Sequence, residues 1–217
     1  MWRIWKCRND LVFNRRTIEV TDDVEQAVTD TREWIENTAV SEQGQPDIQH
    51  RRGPRARWMP PEQGWVKCNY DSSHHEGDRG SGIGWIIRNS HGTFMECGMR
   101  KFQGRATIKK SECTALIWAL QSSWNIGYKK IEFDGDNLTI IRLINGKEDI
   151  PRLRHFLREF RHWQTMFTEA KFTFHYREQN KCADTLARQA LHVSNDGVLF
   201  HSCPRFLATI VNAEADY

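Results

Sequence analysis

No apolar run in the 217-residue chain approaches the roughly 18 residues that a membrane-spanning helix needs. The opening, MWRIWKCRNDLVF, is interrupted by charges and lacks the unbroken apolar stretch of a secretory signal. Both absences point to an intracellular protein without membrane contact, in nucleus or cytoplasm. Cysteine is sparse: six residues, at 7, 68, 97, 113, 182 and 203, lie far apart and form no C-x-x-C. This spacing excludes the common zinc motifs and a dense disulfide framework, so the thiols are expected to be reduced and mostly packed. No internal repeat is present either. What is there, 39% hydrophobic and 27% charged residues, is the composition of a globular protein with one main domain.

Charge is divided unevenly along the chain. Residues 1–63 hold 10 Lys and Arg against 11 Asp and Glu, whereas residues 64–192 hold 20 against 14. The excess concentrates in RKFQGRATIKK (100–110) and RLRHFLREFRHW (152–163). Such a surface suits a polyanion, although basic residues on a helix more often form a plain solvated face.

The first 38 residues contain one amphipathic pattern, TDDVEQAVTDTREWIENT, with Val24, Val28, Thr31 and Ile35 near helical spacing and Asp22, Asp23 and Glu25 in the first turn, where the helix dipole favours them. Residues 39–57 turn to Gln, Gly, Pro and Arg without periodicity and read as a flexible linker. Order begins at about residue 58. GWVKCNYDSS alternates, and GSGIGWIIRNSHGTFMECG gives two β-rich runs joined by Asn89-Ser90-His91-Gly92, which makes three consecutive antiparallel strands. SECTALIWALQSSW places Cys113, Leu116, Ile117, Leu120 and Trp124 on one helical stripe, with Ser111 as its cap and Glu112 in the first turn. KKIEFDG is a fourth strand and NLTIIRLIN a helix. Residues 151–168 form a helix opened by Pro151, KFTFHY is a fifth strand, and NKCADTLARQAL is a last helix. Residues 58–193 therefore constitute the domain, and 194–217 a C-terminal tail. The order βββαβααβα predicts an α/β fold: a mixed five-stranded sheet, three antiparallel strands then parallel additions, flanked by helices.

Four acids reach equivalent depths in this order. Asp71 is near the end of the first strand, Glu112 on the first helix, Asp136 or Asp134 at the tip of the fourth strand, and Asp184 early in the last helix. Singly each has an ordinary explanation: a helix-dipole partner, an N-cap, a turn residue. Together they would repel strongly unless a cation neutralised them, and an all-carboxylate set points to Mg²⁺ or Mn²⁺ rather than zinc. Two such ions can activate a water on one side of a phosphodiester and stabilise the leaving oxygen on the other.

The stretches RWMPPEQGWVKCNYDSS, GSGIGWIIRNSHG, SECTALIWAL, IEFDGDNLTIIRLI and FHYREQNKCADTLA resemble the type 1 ribonuclease H domain of plant non-LTR retrotransposon polyproteins, over about residues 57–193. WRIWKCRNDLVFN resembles the segment that precedes this domain in those polyproteins. The resemblance implies a ribonuclease H-like fold, endonucleolytic hydrolysis of the RNA strand of an RNA/DNA hybrid, two Mg²⁺ or Mn²⁺ ions, and a protein acting as a monomer. It makes Asp71 the ligand bridging both ions and Glu112 a ligand near the RNA 2′-hydroxyl. Asp136 would orient the attacking water and Asp184 complete the second site. Asp136 is preferred over Asp134 because the family's ligand starts the following helix, next to a small polar residue, here Asn137. Ser72, Ser73 and Ser111 are placed to read the 2′-hydroxyl, and Lys109, Lys110, Arg177, Asn180 and Lys181 to hold phosphates. Asn180 is also a helix cap by type, and each lysine an ordinary surface residue.

Two departures stand out. Ser72 occupies a position that is often glycine, and the strand through His175 runs into YREQNKCAD with almost none of the histidine-bearing loop of bacterial-type enzymes. Slower turnover is expected. The alternative to an active nuclease is a catalytically weak or inactive nucleic-acid-binding module.

Overall fold

The alternation that opens the domain is realised as a strand with two different faces. The computed structural model describes residues 57–74, 80–103, 107–193 and 197–215, and β1 spans Val66–His74. β1 pairs antiparallel with β2 (Gly80–Asn89), and β2 with β3 (Phe94–Gln103). The β2–β3 turn is the one signalled in the sequence. Asn89 Oδ1 accepts from the backbone N–H groups of His91 and Thr93, and Gly92 takes φ 73°, a left-handed conformation that suits a residue without Cβ. β4 (Lys130–Gly135) then pairs parallel with β1, and β5 (Glu169–Phe174) parallel with β4.

The mixed α/β sheet matches the expectation, with one strand more. Its order is β5-β4-β1-β2-β3-β6, where β6 is Val198–Phe200, antiparallel to β3. Three residues are too few to display a two-residue period, which hid this strand from a pattern reading.

Helices cover both faces. α1 (Ile108–Ile126), α2 (Leu138–Ile144) and α3 (Arg154–Gln164) pack on one face against Cys68, Tyr70, Ile83, Trp85, Ile87 and Phe133. α4 (Lys181–Ala190) and α5 (Arg205–Ala215) pack on the other, where Cys182, Leu186, Leu207 and Val211 meet Ile86, Cys97 and Met99. Residues 194–217, set apart above as a tail, thus supply both a sheet strand and a core helix. α1 begins a turn before the expected Ser111 cap, because Thr107 takes that role by accepting from the Lys110 N–H. Ile108 and Lys109 in that turn are exposed, so the apolar stripe starts too late to mark it. α3 opens on a 3₁₀ turn at Pro151–Leu153 and ends at Gln164, short of residue 168. Its Arg154, Arg158 and Arg161 are exposed while Leu153 and Phe160 are buried. Of the described cysteines, all are free thiols and four are buried.

The extended segment before β1 is fastened by Trp58, which is 2% exposed. Its indole N–H donates to Asn69 Oδ1 at 2.8 Å, and the Arg88 guanidinium lies 3.6 Å above its ring. Arg88 also donates to Asn69 Oδ1 (2.9 Å) and pairs with Glu214 of α5 (2.6 Å). Trp58 therefore screens a buried arginine that links the start of the domain to its last helix. Replacing Trp58 with alanine is expected to cost about 3–5 kcal/mol, measured as a lower denaturant midpoint with unchanged slope. The chain divides into two units, Met1–Arg51 and Arg52–Tyr217, and everything described belongs to the second. The helix expected over 21–38 and the linker expected over 39–57, apart from Arg57, lie outside the described residues.

Candidate active site

Parallel pairing of β1 and β4 brings their carboxyl ends together. Asn69 is in register with Asp134, so two residues further along, past the end of β4, Asp71 and Asp136 come side by side. α1 crosses the same end and lowers Glu112 onto them. One carboxylate oxygen from each of Asp71, Glu112 and Asp136 lies within 4.8 Å of the others. Asn137, beside Asp136, caps α2 by accepting from the Ile140 N–H.

Two of the three acids are buried, and Asp136 is half-buried. Asp71 is 3% and Glu112 4% exposed. Asp71 Oδ1 accepts from the Ser72 N–H (2.8 Å), and Glu112 Oε1 from the Ser72 hydroxyl (2.6 Å). Their second oxygens, Asp71 Oδ2 and Glu112 Oε2, are buried without a hydrogen-bond partner. Burial, and then the charges of Glu112, Asp136 and Asp184, push the Asp71 carboxyl well above the usual carboxylate range. Burial and the Asp136 charge push Glu112 up to about 8. Unpartnered buried acceptors are costly, and hard oxygen donors converging on one point fit a divalent cation of the Mg²⁺ or Mn²⁺ kind.

Asp134, the competing position, is engaged elsewhere. Its side chain, 1% exposed, turns to Lys67 of β1 and the end of β5, with Lys67 Nζ at 3.0 Å, His175 Nδ1 at 3.0 Å, and the Thr173 hydroxyl donating to it. Burial alone would raise its carboxyl, but hydrogen bonding from His175, the Lys67 charge and Thr173 together hold it below the usual range. The end of the strand explains the split: Glu132 and Asp134 share one face of β4, and Asp136 falls beyond its last residue, Gly135. His175 continues the β5 pairing through its N–H to Gly135 O (3.0 Å).

The fourth acid stands beside the trio, outside that grouping. Asp184 is 17% exposed and held by Arg177 (3.1 Å) and Arg188 (2.9 Å). Arg188 was not singled out in the sequence, though its i+4 spacing from Asp184 was a usable signal. Asn180 is buried and makes no capping bond. Its amide donates to Tyr70 O at 3.0 Å, tying the start of α4 to β1. Ser111 is buried, its hydroxyl donating to Ser81 Oγ and near Thr107 O. Ser73 and Lys110 are half-buried, and Lys109, Arg177 and Lys181 are exposed.

Comparison with known proteins agrees with this architecture. A family model described as reverse transcriptase-like matches residues 69–190, more than half of the chain. The ribonuclease HI of Halobacterium salinarum is 30% identical over 135 residues, which cover 61% of this chain and 67% of that protein. The chain belongs to the reverse transcriptase-like, ribonuclease H-like family. The crystal structure of RNase H1 from the same halophilic archaeon superposes with a TM-score of 0.56 at 30% identity, covering 59% of this chain and 98% of that one. LC11 RNase H1, solved in complex with an RNA/DNA hybrid, shares the fold at a TM-score of 0.54 and 22% identity, over 58% of this chain and 96% of its own. A longer Arabidopsis thaliana protein with a ribonuclease H name is 24% identical over 211 residues, 93% of this chain and 32% of that protein. The chain thus spans about a third of its plant relative. Within this family fold, β1, α1 and the β4–α2 junction are the elements that carry the acidic trio.

Proposed function

We propose that the protein hydrolyses the RNA strand of RNA/DNA hybrids endonucleolytically with two divalent ions, Mg²⁺ or Mn²⁺, as part or remnant of a retrotransposon-derived protein. The observation that carries this reading is the convergence of Asp71, Glu112 and Asp136, with two buried oxygens left without protein partners. When bound, the ions would supply Lewis-acid activation of water and stabilisation of the leaving oxygen. Asp71 and Glu112 would hold the ions, and Glu112 would face the ribose 2′-hydroxyl that marks an RNA strand. Asp136 would be a further ligand and would orient the attacking water. Asp184 would complete the site of the second ion. Ser73, Lys109, Lys110, Lys181 and Arg177 would make ribose and phosphate contacts, which position the hybrid without reading its sequence. The alternative, a weak or inactive binding module, draws its support from the two arginines already on Asp184.

The test is cleavage of a labelled hybrid in Mg²⁺ or Mn²⁺, with single-stranded RNA as control. Asp136→Asn is expected to lose at least about a hundredfold in rate. Asp134→Asn is expected to keep most activity per folded molecule while losing about 3 kcal/mol of stability, because Lys67 would lose its closest buried partner. Activity lost in Asp134→Asn and retained in Asp136→Asn would reverse the assignment, and no hybrid cleavage by folded wild type would favour the binding module.

A further inference from the structure

We propose that Arg177 is a built-in counter-ion that holds Asp184 in place of the second cation, so that the acidic site of the free protein takes one ion readily and a second only by displacing a guanidinium. The inference rests on the metal-dependent reading above and concerns how the site fills.

Both oxygens of Asp184 are engaged. Oδ1 accepts from Arg177 Nη2 (3.1 Å) and Arg188 Nε (3.1 Å), and Oδ2 faces Arg188 Nη2 (2.9 Å). A cation seeking Asp184 has to replace one of these contacts. Arg177 differs from Arg188 in its reach, because its charge is also felt by Asp71, Asp136 and Glu112. Its influence therefore extends beyond Asp184 to the other acids at this end of the sheet.

The backbone beneath Arg177 is fixed while its side chain is free to leave. Arg177 begins a 3₁₀ turn, Arg177–Gln179. Gln179 Oε1 accepts from the Tyr176 N–H, Gln179 Nε2 donates to Arg57 O (2.7 Å), and Asn180 is bonded to Tyr70 O. The Arg177 side chain itself is 56% exposed. An exposed ion pair is weak enough for a divalent ion to break, and a planar guanidinium is a good monovalent placeholder between carboxylates. Arg177 is thus a positioning residue acting through Asp184. It also gives a role to YREQN, the stretch that stands where a histidine-bearing loop is missing.

The experiment is Mn²⁺ titration of the protein without nucleic acid, followed by calorimetry and by the electron paramagnetic resonance of free Mn²⁺, for wild type, Arg177→Gln, Arg177→Lys and Arg177→Gln/Asp184→Asn. Wild type is expected to show one tight and one much weaker site. Arg177→Gln should tighten the weaker site about three- to tenfold, with the tight site retained. Arg177→Lys should stay near wild type, and adding Asp184→Asn should abolish the gain. A weaker site of equal affinity in wild type and Arg177→Gln overturns the proposal. A gain that survives Asp184→Asn also overturns it, since the arginine would then act elsewhere. A folded wild type that binds no Mn²⁺ at all removes the metal-dependent reading itself, which the hybrid-cleavage assay detects independently.

Discussion

Asp71→Asn is expected to abolish hybrid cleavage, by about a thousandfold or more, and at the same time to stabilise the metal-free protein at pH 8. The two effects have one cause. Asp71 and Glu112 are buried carboxylates whose second oxygens have no partner. Both are more easily protonated in the folded protein than in the unfolded chain, Glu112 titrating at about 8 against an ordinary 4.5. A carboxyl raised in this way contributes full stability below its unfolded value and loses that contribution as pH climbs through its folded value. Without metal, the wild type should therefore lose stability between about pH 4.5 and pH 8, by an amount on the order of a few kcal/mol. Asp71→Asn removes one of the repelling charges and should flatten this decline. A divalent ion reverses the balance, adding about 2.7 kcal/mol at a hundred times its Kd, and this gain should be largely absent in Asp71→Asn. Thermal unfolding at pH 5 and pH 8, in chelator and in Mg²⁺, measures all of these. A wild type equally stable at both pH values in chelator would mean that the trio is already neutralised by protein groups.

Much of this site was legible because each acid sits at the end of a strongly patterned element. The alternation of β1 put Asp71 on the polar face, and the β4 run ended in Gly135, so that Asp136 had to fall outside the sheet. The choice between Asp134 and Asp136 was harder from sequence, since nothing local to FDGD says that Lys67 and His175 wait beneath Asp134. Those partners come from β1 and the end of β5, 67 and 175 being far apart in the chain. The commitment of the Ser72 hydroxyl to Glu112 was invisible for the same reason, and it alters the expected role. Ser72 is a groove residue by type, yet its hydroxyl is spent holding a carboxylate. The Asp184 clamp was half legible, Arg188 by helical spacing and Arg177 only through the fold. β6 and α5 escaped because a three-residue strand carries no period, and because α5 hides only one stripe, including Leu207 and Val211.

Gly82→Ala should destabilise the protein by about 3 kcal/mol or more, although it replaces hydrogen with methyl in a strand that glycine intrinsically weakens. The strand accepts that weakness because α4 lies directly upon it. A Cβ at Gly82 would come within 1.8 Å of Ala187 O, and one at Gly84 within 2.5 Å of Leu186 Cβ and 2.6 Å of Ala187 N. Backbone atoms of a packed helix cannot swing aside as a flexible side chain would, so the whole of α4 must lift. Lifting it separates Leu186 and Ala190 from Ile86 and Met99 and strains the Asn180 bond to Tyr70 O. It also carries Asp184 away from Asp71. The molecules that remain folded should then show a weaker second metal site, which links GSGIG to catalysis without any contact with substrate. Gly197→Ala supplies the control, since a Cβ there meets only the Arg100 side chain at 3.5 Å or more and should change stability by less than about 0.5 kcal/mol. Urea unfolding of the three proteins, with Mn²⁺ titration of the folded fractions, distinguishes the cases. Wild-type stability in Gly82→Ala would mean that α4 has room to slide, and that its distance from β2 is not what places Asp184.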